Sequence, residues 1–260
     1  MTFVVTLLRN WTTAALADVQ DYVLLSVRTL RSAVTRPFYF RDVVEQFDVI
    51  GVGSLTVVLL TGFFTGAVLA LQSGITLDQF GARPLVGRLV GASMIKELGP
   101  VLTALMITGR VGSSIAAELG SMGVTDQINA LRALGTDPVR KLVVPRVLAG
   151  FFMVPVLTVI ADFVGIAGGW VIARFQMGVA SGVYWTSITE GLFWQDPWMG
   201  IVKPFFLGFV IVTIACHVGL RVSGGTEGVG RATTKAVVAA SVAVLVVDFF
   251  VTKLMVWLFY

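Results

Sequence analysis

The sequence predicts an all-α integral membrane protein, with an N-terminal interfacial amphipathic helix followed by five transmembrane helices. Three observations predict it. Hydrophobic residues make up 56% of the 260 and charged residues 13%, where a soluble domain carries about 25% charge; mean hydropathy is +0.89. Five apolar runs are each long enough to cross a bilayer, for which about 20 residues suffice. The N-terminal stretch, in contrast, spaces its apolar residues helically but interrupts them with charge.

That stretch, residues 3–34, places Val4, Leu7, Leu8, Trp11, Ala15, Val19, Tyr22, Val23 and Leu30 at helical spacing. Arg9, Asp18, Asp21, Arg28 and Arg31 exclude a span, so the helix is expected to lie in the interface with its basic residues toward headgroups, a placement compatible with packing on the other spans. The first span, Val49 to Leu71, carries no charge. Its Gly62 and Gly66 form a GxxxG spacing that lets a second helix approach. Residues 72–97 mix Asp78, Arg83, Pro84, Arg88, Lys96 and Glu97 with apolar residues and are expected to dip along the far interface.

The second span, Leu98 to Ala117, is interrupted by Arg110. Residues 118–146 then read as a soluble, two-faced helix between spans. Thr125 is the expected N-cap, Ile128, Leu131 and Leu134 share one face, and Gly135 with Asp137-Pro138 ends the helix. Such a helix either rests on headgroups or docks a protein. The third span, Leu142 to Ala173, contains Pro145, Pro155 and Asp162, which predict a tilt or kink. The connector 174–200 carries Tyr184, Trp185, Trp194 and Trp198, rings suited to an interface. The fourth span runs from Ile201 to Leu220, RVSGGTEGVGRATTK is expected as a polar loop, and the fifth span runs from Ala236 to Trp257.

The formal charge of +4 sits mainly in particular loops, which argues for membrane orientation and against nucleic acid. Basic residues concentrate in the N-terminal region (with Arg36 and Arg41), in 132–141 and in 221–235; these are assigned to the cytoplasm, and the C-terminus to the outside. The N-terminus shows no signal-peptide pattern, so no cleavage is expected. The single Cys216 and single His217 exclude an internal disulfide and a His-cluster metal site. GGTEGVGRATTK is Gly-rich but lacks the P-loop order, and no nucleophile stands beside a base. The chain is therefore expected not to be an enzyme and to bind no cofactor, any nucleotide energy coming from a partner.

Intramembrane charges remain. Arg110 and Arg146 are expected to snorkel or to pair with Glu118 or Asp137. Asp162 and Asp248 suit a buried hydrogen bond or a proton relay. Lys96-Glu97 is either a headgroup site or an interfacial ion pair.

Lys96 to Arg146, KELGPVLTALMITGRVGSSIAAELGSMGVTDQINALRALGTDPVRKLVVPR, closely resembles the MlaE/YrbE permease family, as does GVGRATTKAVVAASVAVLVVDF from Gly228 to Phe249. The likeness extends over nearly the whole chain, so 1–260 is read as one permease domain, with 1–47 the interfacial region and 48–260 the five-span region. The resemblance implies a bacterial inner-membrane permease of an ABC system that moves phospholipid between inner and outer membranes and maintains lipid asymmetry. It implies a homodimer, two cytoplasmic MlaF-like ABC ATPase subunits that carry ATP-Mg, a periplasmic MlaD-like MCE hexamer, and often a small MlaB-like STAS-domain protein.

It also implies a cytoplasmic coupling helix between spans 2 and 3, at about Val124 to Leu134. Ile128 and Leu131 belong to that helix, and Glu118, Gly120, Gly135, Asp137 and Pro138 shape its flanks. The family's lipid pocket points to Leu69, Gln72, Phe80, Lys96, Glu97 and Leu98. Lys96 stands where well-known relatives have arginine, which keeps the charge but loses a bidentate grip on phosphate. Two rival readings are an ATP-independent secondary transporter working through Asp162 or Asp248, and a non-transporting scaffold for MCE proteins. Transport driven by a pH gradient would mark the first, and assembly without lipid movement the second.

Overall fold

The computed structural model describes residues 2–35 and 39–259. Arg36 and the side chains of Val4, Leu7, Leu8, Arg9, Trp11 and Ala15 lie outside the described residues. The helices are α1 (Thr2–Val34), α2 (Phe40–Ile50), α3 (Leu55–Gln79), α4 (Val86–Ser93), α5 (Gly99–Ile107), α6 (Ser113–Val124), α7 (Gln127–Ala133), α8 (Val144–Phe175), α9 (Ser181–Gly191), α10 (Gln195–Leu220) and α11 (Gly225–Phe259). Five helical segments are long and apolar enough to cross a membrane: Phe40–Gln79, Arg83–Val124, Val139–Phe175, Gln195–Leu220 and Gly225–Phe259. The fold is all-α, and no strand occurs among the described residues.

The spans alternate in direction. Arg28 of α1 meets Asp137 after α7, and Arg221 after α10 meets Asp18 of α1, so these connections share one end of the bundle. At the opposite end, the ring of Trp194 stacks edge-on against Phe259 and α4 packs along α9. The basic residues therefore segregate in space as their loop positions predict.

Packing follows from small residues. A Cβ on Gly66 would run into the Gly165 carbonyl oxygen, and one on Gly62 would stand 2.9 Å from that of Ala161. The GxxxG spacing is the seam between α3 and α8. Two apolar cores result, one toward the α7 end around Ile107, Leu119, Val143 and Ile211, the other toward the opposite end around Val90, Met94 and Tyr184.

Three local expectations are corrected. Residues 72–97 do not dip along the interface: α3 continues to Gln79, and the next segment is helical from Arg83 through a π turn at Met94–Leu98 into the second span. Gly87 and Gly91 let α4 lie against Tyr184 and Ile188 of α9, so its polar residues stay at the rim while the helix is held by packing. The polar loop after the fourth span shrinks to a short turn, because helix α11 begins at Gly225. Gly228 and Ala232 are buried there, and Arg231 pairs with Glu227 one turn back. Tyr184 is no interfacial ring but a fully buried one, its hydroxyl donating to the Ile166 carbonyl at 3.0 Å; Trp185, Trp194 and Trp198 remain exposed. Helix α1 leaves Leu16, Val19, Val23 and Leu30 exposed, and its Arg28, itself largely exposed, pairs with Asp137.

Candidate coupling surface and intramembrane charge cluster

The second span extends through α6 to Val124, seven residues beyond its expected end at Ala117, and Thr125 does not cap α7. Its hydroxyl donates back to the Ser121 carbonyl at 2.9 Å, and Asp126 takes the N-cap position with φ 58. Aspartate tolerates this left-handed conformation, and its carboxylate accepts from Asn129 at 2.9 Å. The chain turns sharply there, so the helix starts at Gln127 rather than Val124. At its end Gly135 adopts φ 74, Thr136 N–H donates to Leu131 and Gly135 N–H to Arg132, each at 3.0 Å. These two bonds form a Schellman stop.

Ile128 is buried in the core at this end, and Leu131 packs half-buried against it. Leu134 is 81% exposed, and Val124 is exposed as well. The expected single apolar face is therefore divided: Ile128 roots the helix, and Leu134 projects beyond the turn where α7 ends. Gly120 admits Val222 closely, since a Cβ there would lie 2.7 Å from the Val222 Cγ2. Asp137 accepts from the Val139 N–H at 3.0 Å and so caps the start of the third span, with Pro138 buried behind it.

Ion pairs tie this end to its neighbours. Glu118 meets the buried Arg146 at 2.7 Å, as its charge predicts, and Arg146 also donates to the Leu142 carbonyl at 2.6 Å. Arg110 pairs with neither candidate acid; it donates to Ser54 Oγ at 2.8 Å and to the Val49 carbonyl at 3.2 Å. Lys141 pairs with Asp42 and lies over the Tyr39 ring. Asp18 of α1 accepts from His217 Nε2 at 3.1 Å and from Arg221 at 3.0 Å. The His217 hydrogen bond, joined by the charges of Lys235 and Arg221, holds the Asp18 carboxyl below the usual carboxylate range against an opposing effect of burial.

At the other end, the π turn Met94–Leu98 carries Lys96 and Glu97 to different partners. Lys96 Nζ meets Asp196 at 2.8 Å, and Glu97 meets Lys203 at 2.7 Å, so they are not a pair with each other. Lys203 is fully buried; it also donates to the Lys96 carbonyl at 2.8 Å and lies 3.6 Å from Asp248. Thr252 donates to Glu97 at 3.4 Å. The cluster joins spans two, four and five. Leu69 and Leu98 pack against the nearby core, while Gln72 and Phe80 are exposed. Lys203 and Asp196 are not among the residues the sequence pattern singles out. Their signal was an ionisable residue at the head of an apolar run, which marks a candidate by default.

Five helices long and apolar enough to cross a membrane, with a short rooted helix at one end and a buried charge cluster toward the other, define a multi-pass membrane protein. The chain belongs to the MlaE permease family, whose model, described as Permease MlaE, matches residues 43–254. It is 42% identical to a protein of Rickettsia conorii named a probable ABC transporter permease, over 91% of this chain and 92% of that one. It is 39% identical to the Haemophilus influenzae protein named intermembrane phospholipid transport system permease protein MlaE, over 84% of each. It is also 34% identical to the chloroplastic protein TRIGALACTOSYLDIACYLGLYCEROL 1 of Arabidopsis thaliana, over 81% of this chain and 60% of that one. Membership makes the chain an ABC transporter permease rather than a catalytic enzyme, and implies ATPase and substrate-binding partners in general.

Proposed function

We propose that this chain is the permease subunit of an ABC system that moves phospholipid between inner and outer membranes and so maintains outer-membrane lipid asymmetry. It sits in the bacterial inner membrane with α1 and α7 in the cytoplasm, an orientation supported by the basic excess at that end. It works as a homodimer with two MlaF-like ATPase subunits that bind ATP-Mg, an MlaD-like MCE hexamer in the periplasm, and an MlaB-like STAS-domain protein. No cofactor is bound by this chain itself.

One observation carries the mechanism: α7 is rooted by Ile128 in a core shared by all five spans, yet presents Leu134 outward. A helix held in this way transmits a push. Closure of the ATPases against Val124, Leu134 and the flanks around Gly135 moves α7 with α6 and α8, because Glu118–Arg146 and Asp137 tie those elements together. That movement travels along the spans to the opposite end, where Leu69, Gln72, Phe80 and the Lys96–Glu97–Leu98 turn form the lipid-facing region. Lys96 supplies the positive charge for a phosphate headgroup, as a point charge rather than a fork.

The test is ATP-driven transfer of fluorescent phospholipid between vesicles carrying the reconstituted complex and acceptor vesicles. Leu134→Asp should stop transfer while leaving membrane insertion and thermal stability unchanged. Transfer at the unmodified rate would overturn the coupling role.

A further inference from the structure

Helix α10 grips the π turn at Met94–Leu98 with one face. Asp196, Gly200 and Lys203 stand at i, i+4 and i+7, the spacing that shares a side of a helix. A Cβ on Gly200 would run into the Ile95 carbonyl oxygen, so the two elements touch closely there. On either side of that contact α10 holds the same residue twice: Lys203 donates to the Lys96 carbonyl, and Asp196 meets the Lys96 ammonium at 2.8 Å.

The two members of the outer pair differ in freedom. The Asp196 side chain is 1% exposed, and its Oδ2 accepts from the Phe193 N–H at 3.1 Å. It also lies in the first turn of α10, where the helix dipole favours an anion. The Lys96 side chain is 30% exposed and carries its charge on a long flexible stem. Asp196 therefore keeps its place without the lysine, and Lys96 is the member that can leave. Lys203 has no such freedom, being fully buried among oxygens of Lys96, Glu97 and Asp248.

We propose that Asp196 is a positioning residue that governs release. It competes with the phosphate of the transported lipid for the Lys96 ammonium, and the return of Lys96 to Asp196 lets the headgroup go. The proposal rests on the reading above that Lys96 meets that phosphate. A phosphate reaching the exposed side of the ammonium has the Asp196 carboxylate behind it, and a like charge within about 4–6 Å shifts a charge equilibrium by roughly tenfold or more. Affinity differences between related complexes lie mostly in the dissociation rate, so a weaker grip is a faster release. Glu97 does not share the role, because Lys203 at 2.7 Å already neutralises it. Asp196 acts through Lys96 and need not touch the lipid.

The full chain, freed of lipid, would be given phosphatidylglycerol and diacylglycerol with the same acyl chains in equal amounts, and the retained lipids counted by native mass spectrometry. The two differ in the phosphate headgroup, so their ratio reads the phosphate contact and cancels any general loss of lipid holding. Asp196→Asn keeps the size and the acceptor for the Phe193 N–H but removes the charge. It should raise the ratio by roughly tenfold and slow ATP-driven transfer by the reconstituted complex. A carboxylate that only braced α10 would change both lipids alike. Lys96→Met should lower the ratio, and adding Asp196→Asn to it should change nothing further. Should Asp196→Asn fail to fold, Lys96→Arg carries the test with α10 unaltered: its fork of several N–H donors holds Asp196 and a phosphate together, so the ratio should rise. An unchanged or lowered ratio in Asp196→Asn (or in Lys96→Arg in its place), or a rise that persists beside Lys96→Met, would overturn the role of Asp196. A lowered ratio in Lys96→Met would then still leave the headgroup reading standing, whereas an unchanged ratio there would overturn both.

Discussion

The ammonium of Lys203 lies 2.7 Å from the Glu97 carboxylate and 2.8 Å from the Lys96 carbonyl, with no exposure of its own. A π turn leaves backbone carbonyls out of register with the helical ladder, and here the lysine of another span satisfies one of them. Removing the lysine leaves both that carbonyl and the half-buried Asp248 without their cation. Lys203→Met should therefore lower stability by on the order of 3 kcal/mol, read as a fall in the thermal midpoint in detergent. Adding Asp248→Asn should recover part of the loss, since it removes one stranded charge. No recovery would mean that the Asp248 contact at 3.6 Å contributes little.

Helix α7 separates its two apolar anchors by role. Ile128→Asp puts a charge into the core and should prevent folding or lower the thermal midpoint sharply. Leu134→Asp, at an exposed position, should leave the midpoint within the error of a surface change, about 0.5 kcal/mol, while abolishing ATP-driven lipid transfer. Equal destabilisation by both would show that Leu134 is braced by the bundle.

Much of this architecture was legible in the sequence, because long apolar runs have few alternatives once every backbone group must be paired inside hydrocarbon. The number of spans and the Gly135 stop follow from local chemistry, whereas the second span runs on past Ala117 and the last helix begins well before Ala236. The Glu118–Arg146 pair was legible because both residues flank the same connection. What was not legible needed three dimensions. Tyr184 reads as an interfacial ring until Gly87 and Gly169 are seen to make room for it. Thr125 reads as a cap until the preceding helix runs on to claim its hydroxyl. Lys203 lies more than 100 residues from the turn it completes, and local pattern does not report such pairs.

Gly66 and Gly109 are both glycines inside spans, but their surroundings differ. Gly66→Ala drives a Cβ into the Gly165 backbone and should cost about 1–3 kcal/mol by forcing α3 and α8 apart. Gly109→Ala meets nothing within 4 Å and should be neutral or stabilising by up to about 1 kcal/mol. Paired thermal melts in the same detergent decide it, and equal effects would refute the seam at Gly66.

Helix α1 is held against the bundle partly by charge, so its docking should depend on pH. Asp18 faces His217, Arg221 and Lys235, with Asp21 beside it on Arg221. Its carboxyl is held below the usual range, chiefly by the His217 hydrogen bond. A group with a depressed folded value contributes its full stabilisation above the ordinary carboxylate value, about 3.9, and loses it as pH falls through its own lower value. Docking of α1 should thus be insensitive to this group near neutrality and weaken below about pH 4. Hydrogen exchange across residues 16–34 at stepped pH reads the change, and Asp18→Asn should show raised exchange at neutral pH with the low-pH step reduced. An unaltered step in Asp18→Asn would assign the acid sensitivity to the Asp137 or Asp42 ties instead, since those carboxylates also bind this end of the molecule to its neighbours.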